Sequence, residues 1–288
     1  MQRVKLLITI VSLLLAIAGF SQETVSLNVV YEFRYARDIA AKDSLYTANM
    51  VLSLGRNTSR YCTEKLYLEN DKNAIKRRLA QQLRQNNAAK PAEVVSGGPL
   101  LLVNKYGAII NEEILLNRAD SSLQLYSVLG FKTYRVESVI PKIDWKTAED
   151  KKMIGIYACQ KATGFYAGRT YEAWFAPELP YQLGPWKLTG LPGLILEARD
   201  QKNEVFFSFK SLVKNTDAEE ITRSFLNTGD YIKTTLKAYN KAKKAFETDP
   251  ESVMAAMAPN ATVAVINTDD ANAAHARKIK KYNPLELD

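Results

Sequence analysis

Histidine occurs once in this chain, at His275, and that scarcity removes more chemistry than any other feature of the sequence. Zinc sites built on several histidines are excluded, and no Cys-x-x-Cys pair exists to replace them. A Ser-His-Asp relay would have to recruit His275 from an Ala/Asn-rich stretch, and no Gly-x-Ser-x-Gly elbow is present. A Cys159–His275 nucleophile pair is the other arrangement open to it, against the simpler reading of a solvated tail histidine. The phosphate loop of the Gly-x-x-x-x-Gly-Lys type, the Gly-x-Gly-x-x-Gly fingerprint and an EF-hand acidic run are all missing. The sequence therefore predicts no metal, no cofactor and no catalytic residue of these types.

Carboxylates are the remaining acid–base groups. They occur as adjacent pairs at Glu112-Glu113, Glu149-Asp150, Glu219-Glu220 and Asp269-Asp270. Neighbours on a strand point to opposite faces, so such pairs do not form an acid–base couple with each other and read as solvated turn acids. A carboxylate-dependent hydrolase would instead need two acids facing across a cleft, one of them with a raised pKa.

The segment Trp174 to Gly193 carries a different kind of chemistry. It holds four of the ten prolines and two of the three tryptophans, with Phe175 and Tyr181 and only Glu178 and Lys187 charged. Proline stiffens such a loop, and Trp174, Tyr181 and Trp186 offer broad apolar rings, so it reads either as a ligand-binding rim or as a crossover plugging one end of a sheet. Arg169 opens the preceding strand and shares its face with Tyr171, Ala173 and Phe175. It can bind an anionic ligand bidentately, or serve structurally against Glu172, Glu178 or Glu197. At the end of the loop, Leu191-Pro192-Gly193-Leu194 has the type II turn pattern, with proline presetting φ and Gly193 supplying a positive φ. Gly190, Pro192 and Gly193 are thus expected as structural turn residues feeding the apolar run Leu194-Ile195-Leu196.

Gly184-Pro185-Trp186-Lys187-Leu188-Thr189 followed by Gly190-Leu191-Pro192-Gly193-Leu194-Ile195 resembles the signature of the GLPGLI family of exported Bacteroidota proteins. Gly155-Ile156-Tyr157-Ala158-Cys159-Gln160-Lys161-Ala162 is similar to its Gly-Tyr-x-Cys-x-Lys-Ala strand, and Gly168-Arg169-Thr170-Tyr171-Glu172-Ala173-Trp174 to its Gly-Arg-x-Tyr-x-Ala-Trp strand. Glu178-Leu179-Pro180 and Asn283-Pro284-Leu285-Glu286 match further blocks in the same order. The resemblance implies class and location, because the family carries no settled activity.

The elements that must position these residues are mostly strands. Val25, Leu27, Val29, Tyr31, Phe33 and Tyr35 alternate with mostly polar neighbours, the period of a half-buried strand. Strands are also predicted at 49–54, 60–68, 122–129, 134–140, 152–161 and 169–175, with hairpins joining 100–103 to 108–116 and 194–198 to 205–209. Ile75, Leu79 and Leu83 predict a helix over 72–86. Ile232, Leu236, Tyr239 and Phe246 predict another over 230–248, with lysines on its other faces and Pro250 ending it. Val263 to Ile266 is a candidate edge strand. The expected fold is mainly β, or α+β: a curved antiparallel sheet or half-open barrel with about two flanking helices, analogous to the periplasmic LolA-type carriers.

Arg3 and Lys5 ahead of the apolar run Leu6 to Phe20 read as a secretory signal, cleaved at Gly19-Phe20-Ser21 before Gln22. That run is too short for a span of roughly 20 residues, and no cysteine near it forms a lipobox. The domain reading is a signal over 1–21, one β-rich domain over 22–249 and a partly flexible extension over 250–288. The net charge of +8 falls to +6 without Arg3 and Lys5 and is not gathered into a basic block, so nucleic acid is not an expected partner. Cys62 and Cys159 form either one disulfide, suited to an oxidising compartment, or two separate buried thiols. The leading functional expectation is a non-enzymatic periplasmic or secreted protein binding an apolar ligand, a peptide or an envelope partner through the curved sheet and the 174–193 loop. The alternatives are a carboxylate-dependent hydrolase of envelope glycan or peptide, and a structural partner of an outer-membrane assembly.

Overall fold

β1 (Leu27–Tyr35) shows how these strands form: each alternate side chain, from Leu27 through Tyr35, is buried and the intervening ones are half-exposed. Its one apolar face is the seed of the core. The structure, a computed structural model, describes residues 23–43, 45–70, 100–104, 112–215, 221, 224–227, 229–257, 262–266 and 279–287. The expected signal segment, the helix over 72–86, the turn at 105–107 and His275 lie outside the described residues.

Twelve strands build one sheet. Those after β1 are β2 (Tyr46–Leu54), β3 (Thr58–Thr63), β5 (Glu112–Asn117), β6 (Ser122–Leu129), β7 (Lys132–Val139), β8 (Lys146–Ile154), β9 (Tyr157–Tyr166), β10 (Arg169–Ala176), β11 (Leu194–Asp200), β12 (Val205–Lys214) and β13 (Ile232–Thr234). Their order is β13-β7-β6-β5-β3-β2-β1-β12-β11-β10-β9-β8. Every pairing is antiparallel except β13 with β7. The sheet is open: β8 and β13 end the order and do not pair. Register shifts at Val30/Tyr31, Trp174/Phe175 and Thr147/Lys151 mark the bulges that bend strands and let the sheet curve.

Curvature is visible in who meets whom. Tyr31 and Phe33 of β1, Ile114 of β5, Tyr171 of β10 and Phe207 of β12 belong to one buried cluster. Leu183, Trp186, Leu188 and Leu191 from the segment between β10 and β11 complete it from within. Two helices close it: α2 (Leu236–Thr248), N-capped by Thr235 and contributing Tyr239 and Phe246, and α3 (Pro250–Met257), contributing Met254. The other face carries a smaller cluster of Cys62, Leu66, Tyr126 and Leu226, where α1 (Glu64–Asn70) packs.

Several expectations are revised. The strand predicted over 60–68 stops at Thr63, and Glu64–Asn70 is α1, with the Thr63 hydroxyl accepting from the Leu66 N–H at 3.2 Å. The strand predicted over 152–161 is a hairpin, because Gly155 adopts φ 57° and turns the chain between β8 and β9. Leu100–Asn104 is β4, but its partner is the parallel β14 (Thr262–Ile266) rather than the segment after it. Pro250 stops α2 and also opens α3, since a proline lacks only a donor that the first helical turn does not use. Of the two cysteine alternatives, the structure has two separate buried thiols. Cys62 on β3 and Cys159 on β9 lie on strands that do not adjoin and belong to the clusters on opposite faces, so no disulfide joins them.

The turn feeding β11 is also different from its predicted form. Gly193 is not at positive φ; Gly190 is, at 98°. The Gly193 N–H donates to the Leu191 carbonyl at 2.8 Å, so Pro192 sits at the centre of a γ-turn rather than at the second position of a type II turn. Glycine is needed at 193 for room: a Cβ there would lie 2.7 Å from the Ala176 carbonyl carbon and 2.9 Å from the Pro177 Cα.

Candidate functional site

The four candidate ligand residues do not meet. Trp174 is half-buried on β10 beneath Lys152 and Lys161, whose ammonium groups stand 4.6 and 5.9 Å from its ring. Tyr181 is half-buried elsewhere, its hydroxyl 3.2 Å from the Ser26 hydroxyl, beside an open surface hollow that also includes Glu23, Arg56 and Arg118. Trp186 is in the core. Its ring lies 5.4 Å from Tyr166, 6.5 Å from Tyr171 and 6.4 Å, stacked, from Phe207. It holds φ at 58°, a conformation that is strained for a bulky side chain and survives only because packing over-determines it.

Arg169 is 1 % exposed at the side chain, and its guanidinium is spent on protein groups. Nη1 donates to Asp200 Oδ2 at 2.7 Å and to Glu204 Oε2 at 3.0 Å. Nη2 donates to Asn283 Oδ1 and to the Pro284 carbonyl, both at 2.8 Å, and Nε donates to the Leu285 carbonyl at 3.1 Å. The expected partners are occupied elsewhere: Glu172 with Lys161 and Arg199, Glu197 with Lys152, and Glu178 with the Ala158 N–H. Burial opposes a charged guanidinium, but the hydrogen bonds to Glu204 and Asp200 outweigh it and push the Arg169 pKa up. Arg169 is therefore the anchor of a strap, residues 282–286, which Lys187 grips a second time through Glu286.

That strap and α2 together cover a chamber inside the curve of the sheet, with a cavity volume of about 20 Å³. Its walls include Phe33, Tyr35, Met50, Tyr61, Ile114, Trp186, Phe207 and Leu285, and its polar groups are Glu112, Lys243 and Glu247. A second hollow of about 30 Å³, lined in part by Trp186, Lys187, Tyr239, Lys243 and Leu285, adjoins it under the same cover. Each has room for about one or two waters as it stands, well below the roughly 300–1,000 Å³ of small-molecule sites.

The polar groups come from two elements. Glu112 enters from β5, while Tyr239, Lys243 and Glu247 are four residues apart along α2 and so share one helix face. Lys243 pairs with Glu112, and the Tyr239 hydroxyl donates to Glu112 Oε1 at 2.5 Å while 2.9 Å from the Ser127 hydroxyl. Burial pushes the Glu112 carboxyl up, but Lys243 and the Tyr239 hydrogen bond outweigh it and hold it below its ordinary range. At Glu247 burial wins over Lys243, Arg37 and a hydrogen bond from Tyr282, and the carboxyl is raised. Two of the residues lining this chamber, Tyr35 and Tyr61, have buried hydroxyls with no hydrogen-bond partner. Each such group left unsatisfied typically costs about 1–3 kcal/mol.

Only their spacing marks these residues in the sequence. Lys243 falls on the Tyr239 face, not among the exposed lysines, and the spacing 239/243/247 was the available signal. The adjacent acids Glu112 and Glu113 do point to opposite faces, as strand geometry requires, but both are buried rather than solvated. Glu113 pairs on the outer face with Arg60 at 2.9 Å, under the Phe225 ring. Among the described residues no group of three or more His, Cys, Asp or Glu side chains is placed to hold a metal, and no helix is long and apolar enough to cross a membrane.

Fold and chamber together define an open, curved β-sheet protein with an internal apolar cavity. A family model described as "Protein of unknown function (Porph_ging)" matches residues 165–197, which span the end of β9, β10, the plugging segment and the start of β11. No curated protein matches the chain. Among solved structures, PNGF-II in C2 and P21 crystal forms aligns with a TM-score of 0.49 at 13 % identity, over 76 % of this chain. The alignment spans only 33 % of the PNGF-II chain.

Proposed function

We propose that this chain is an exported envelope protein of the GLPGLI type that binds a small apolar ligand in the chamber beneath α2 and the 282–286 strap. The observation that carries the reading is the cavity lined by Phe33, Met50, Ile114, Trp186, Phe207 and Leu285 on the inner face of the sheet, which a ligand larger than a water enters only as α2 and the strap part from it. Trp186 serves that site from inside, as a wall, and the 174–193 segment acts as scaffold. Periplasmic or secreted location follows from the signal-like residues 1–21, and the mass of the protein recovered from cells tests cleavage before Gln22.

The binding test uses N-phenyl-1-naphthylamine, a neutral dye that brightens in apolar surroundings. Saturable brightening that is lost in Leu285→Trp, where a larger ring fills the cavity, supports the reading. Absence of saturable brightening overturns it.

A second reading, hydrolysis of an envelope glycan or peptide, draws on one observation: Glu112 and Glu247 line the same chamber with pKa values displaced in opposite directions. Its test is hydrolytic activity on envelope extracts that disappears in both Glu112→Gln and Glu247→Gln.

A further inference from the structure

The two covers of the chamber are held in different ways. The strap is tied by its backbone. The Asn283 N–H donates to the Arg37 carbonyl at 2.9 Å, and just outside the strap the Leu287 N–H donates to the Ala167 carbonyl at 3.1 Å. The Lys280 and Lys281 N–H groups reach the Asp38 carboxylate at 2.8 and 2.9 Å. Arg169 takes the Pro284 and Leu285 carbonyls and the Asn283 side chain from the other side. Asn283 is 1 % exposed, so water does not compete for its bonds.

Helices α2 and α3 have no such tie. Among the described residues, no backbone hydrogen bond joins either helix to the sheet or the strap. α2 is held through side chains: Tyr239 and Lys243 both bond Glu112 on β5, and Tyr239 also meets the Ser127 hydroxyl on β6. Glu247 accepts a hydrogen bond from Tyr282 of the strap, with Lys243 and Arg37 lending it positive charge. The fully buried apolar side chains are Tyr239 and Phe246 of α2 and Met254 of α3, with Leu236, Ala242 and Val253 partly buried. Met254 and Met257 crowd the β6–β7 turn at Gly130, where a Cβ would lie 2.7 and 2.9 Å from their sulfurs, and thioether side chains re-pack readily. Elements with few buried contacts and no shared backbone ladder open at lower free energy than the fold as a whole.

The chain leaves this helix pair free to turn. β13 ends at Thr234, paired with β7, and α2 begins at Leu236, so Thr235 alone joins sheet to helix, extended at φ −86° and ψ 156°. Beyond α3, the next described strand is β14, which pairs with β4 and not with the twelve-stranded sheet. A single element-terminal residue can serve as a hinge.

We infer that α2 and α3 swing off the sheet as one cover, hinged at Thr235, while the strap stays fastened, and that a ligand reaches the chamber under this cover. The route rests on the chamber being the binding site; the motion does not, and it is measured without a ligand. Native-state hydrogen exchange of the unmodified protein across low urea is expected to show the α2 and α3 amides sharing one opening, with protection at least tenfold below that of Asn283 and the β10 amides. Tyr239→Phe/Lys243→Met removes both bonds to Glu112 and leaves its carboxylate to seek water. The helix amides then lose at least a further tenfold while Asn283 and β10 keep their protection. The same variant takes up N-phenyl-1-naphthylamine correspondingly faster in stopped flow.

Equal protection and a shared urea dependence for the helices and Asn283 overturn the inference, as does exchange of Asn283 ahead of the helices. Unchanged dye uptake in a variant whose helices open faster overturns the route. Failure of the dye to bind the unmodified protein overturns the binding reading and leaves the motion standing. The comparison of helix and strap amides needs no variant, so it decides the motion even if the double substitution disturbs folding.

Discussion

Arg169 Nη2 and Asn283 Oδ1 are 2.8 Å apart although 114 residues separate them in the chain. Asn283 in turn donates to the Ala36 carbonyl at 2.8 Å and to Glu204 Oε2 at 3.1 Å. One buried guanidinium thereby fastens the start of β10, the turn between β11 and β12, and the strap that roofs the chamber. Chamber and latch are one mechanical unit.

Replacing Arg169 by methionine leaves Asp200 and the strap carbonyls desolvated without their cation and leaves Glu204 with Lys42 alone. A loss of about 3–5 kcal/mol in urea unfolding is expected. Arg169→Lys does not restore it, because a single ammonium cannot reach the five acceptors the planar fork serves. Stability within about 1 kcal/mol of the parent in either variant would contradict the latch.

The tryptophans separate by burial. Trp186→Ala removes a core ring and is expected to cost about 3–5 kcal/mol and to abolish dye binding. Trp174→Ala loses a half-exposed ring and two nearby ammonium contacts, at about 1 kcal/mol, with dye binding intact. Equal effects of the two would place them in one rim after all.

Gly193→Ala drives a methyl into the Ala176 carbonyl and the Pro177 backbone, atoms that cannot rotate away. Overpacking of this kind costs about 1–3 kcal/mol or more, read from chemical unfolding. A neutral or stabilising result would mean that this turn is looser than the close approach requires.

The acids of the chamber act on stability in opposite directions with pH. Glu247 has a folded pKa above its ordinary 4.5, so its contribution is complete below about pH 4.5 and is lost as pH rises through the raised value. Glu112 and Glu204 have lowered folded values, so theirs is present above pH 4.5 and lost as pH falls through them. Glu247→Gln therefore gains melting temperature relative to the parent as pH rises above 4.5, while both share the same acid-side decline. A difference that does not grow with pH would contradict the assignment.

Much of the architecture was legible because strands with one wet face carry their register in their own alternation. β1, β6, β10 and the β11–β12 hairpin were readable from local pattern, and the strand at 262–266 from a short apolar run. Where two structures share a local pattern, the reading failed. Glu64–Leu68 can be strand or helix by composition, and packing of Leu66 on the outer face selected helix. Leu100–Asn104 is plainly a strand, but its choice of β14 as partner spans more than 150 residues.

The sequence by itself determined that the protein is mainly β, carries a single histidine, and concentrates proline and tryptophan between 174 and 193. Local steric and hydrophobic rules decide such things residue by residue. Only the tertiary structure decided that Trp186 is a core wall, that Arg169 clasps residues 283–285, and that Tyr35, Tyr61, Glu112, Lys243 and Glu247 line one cavity. Those relations join strands, a helix and a strap distant in sequence. No local pattern encodes them, because they arise where the curved sheet closes over its own interior.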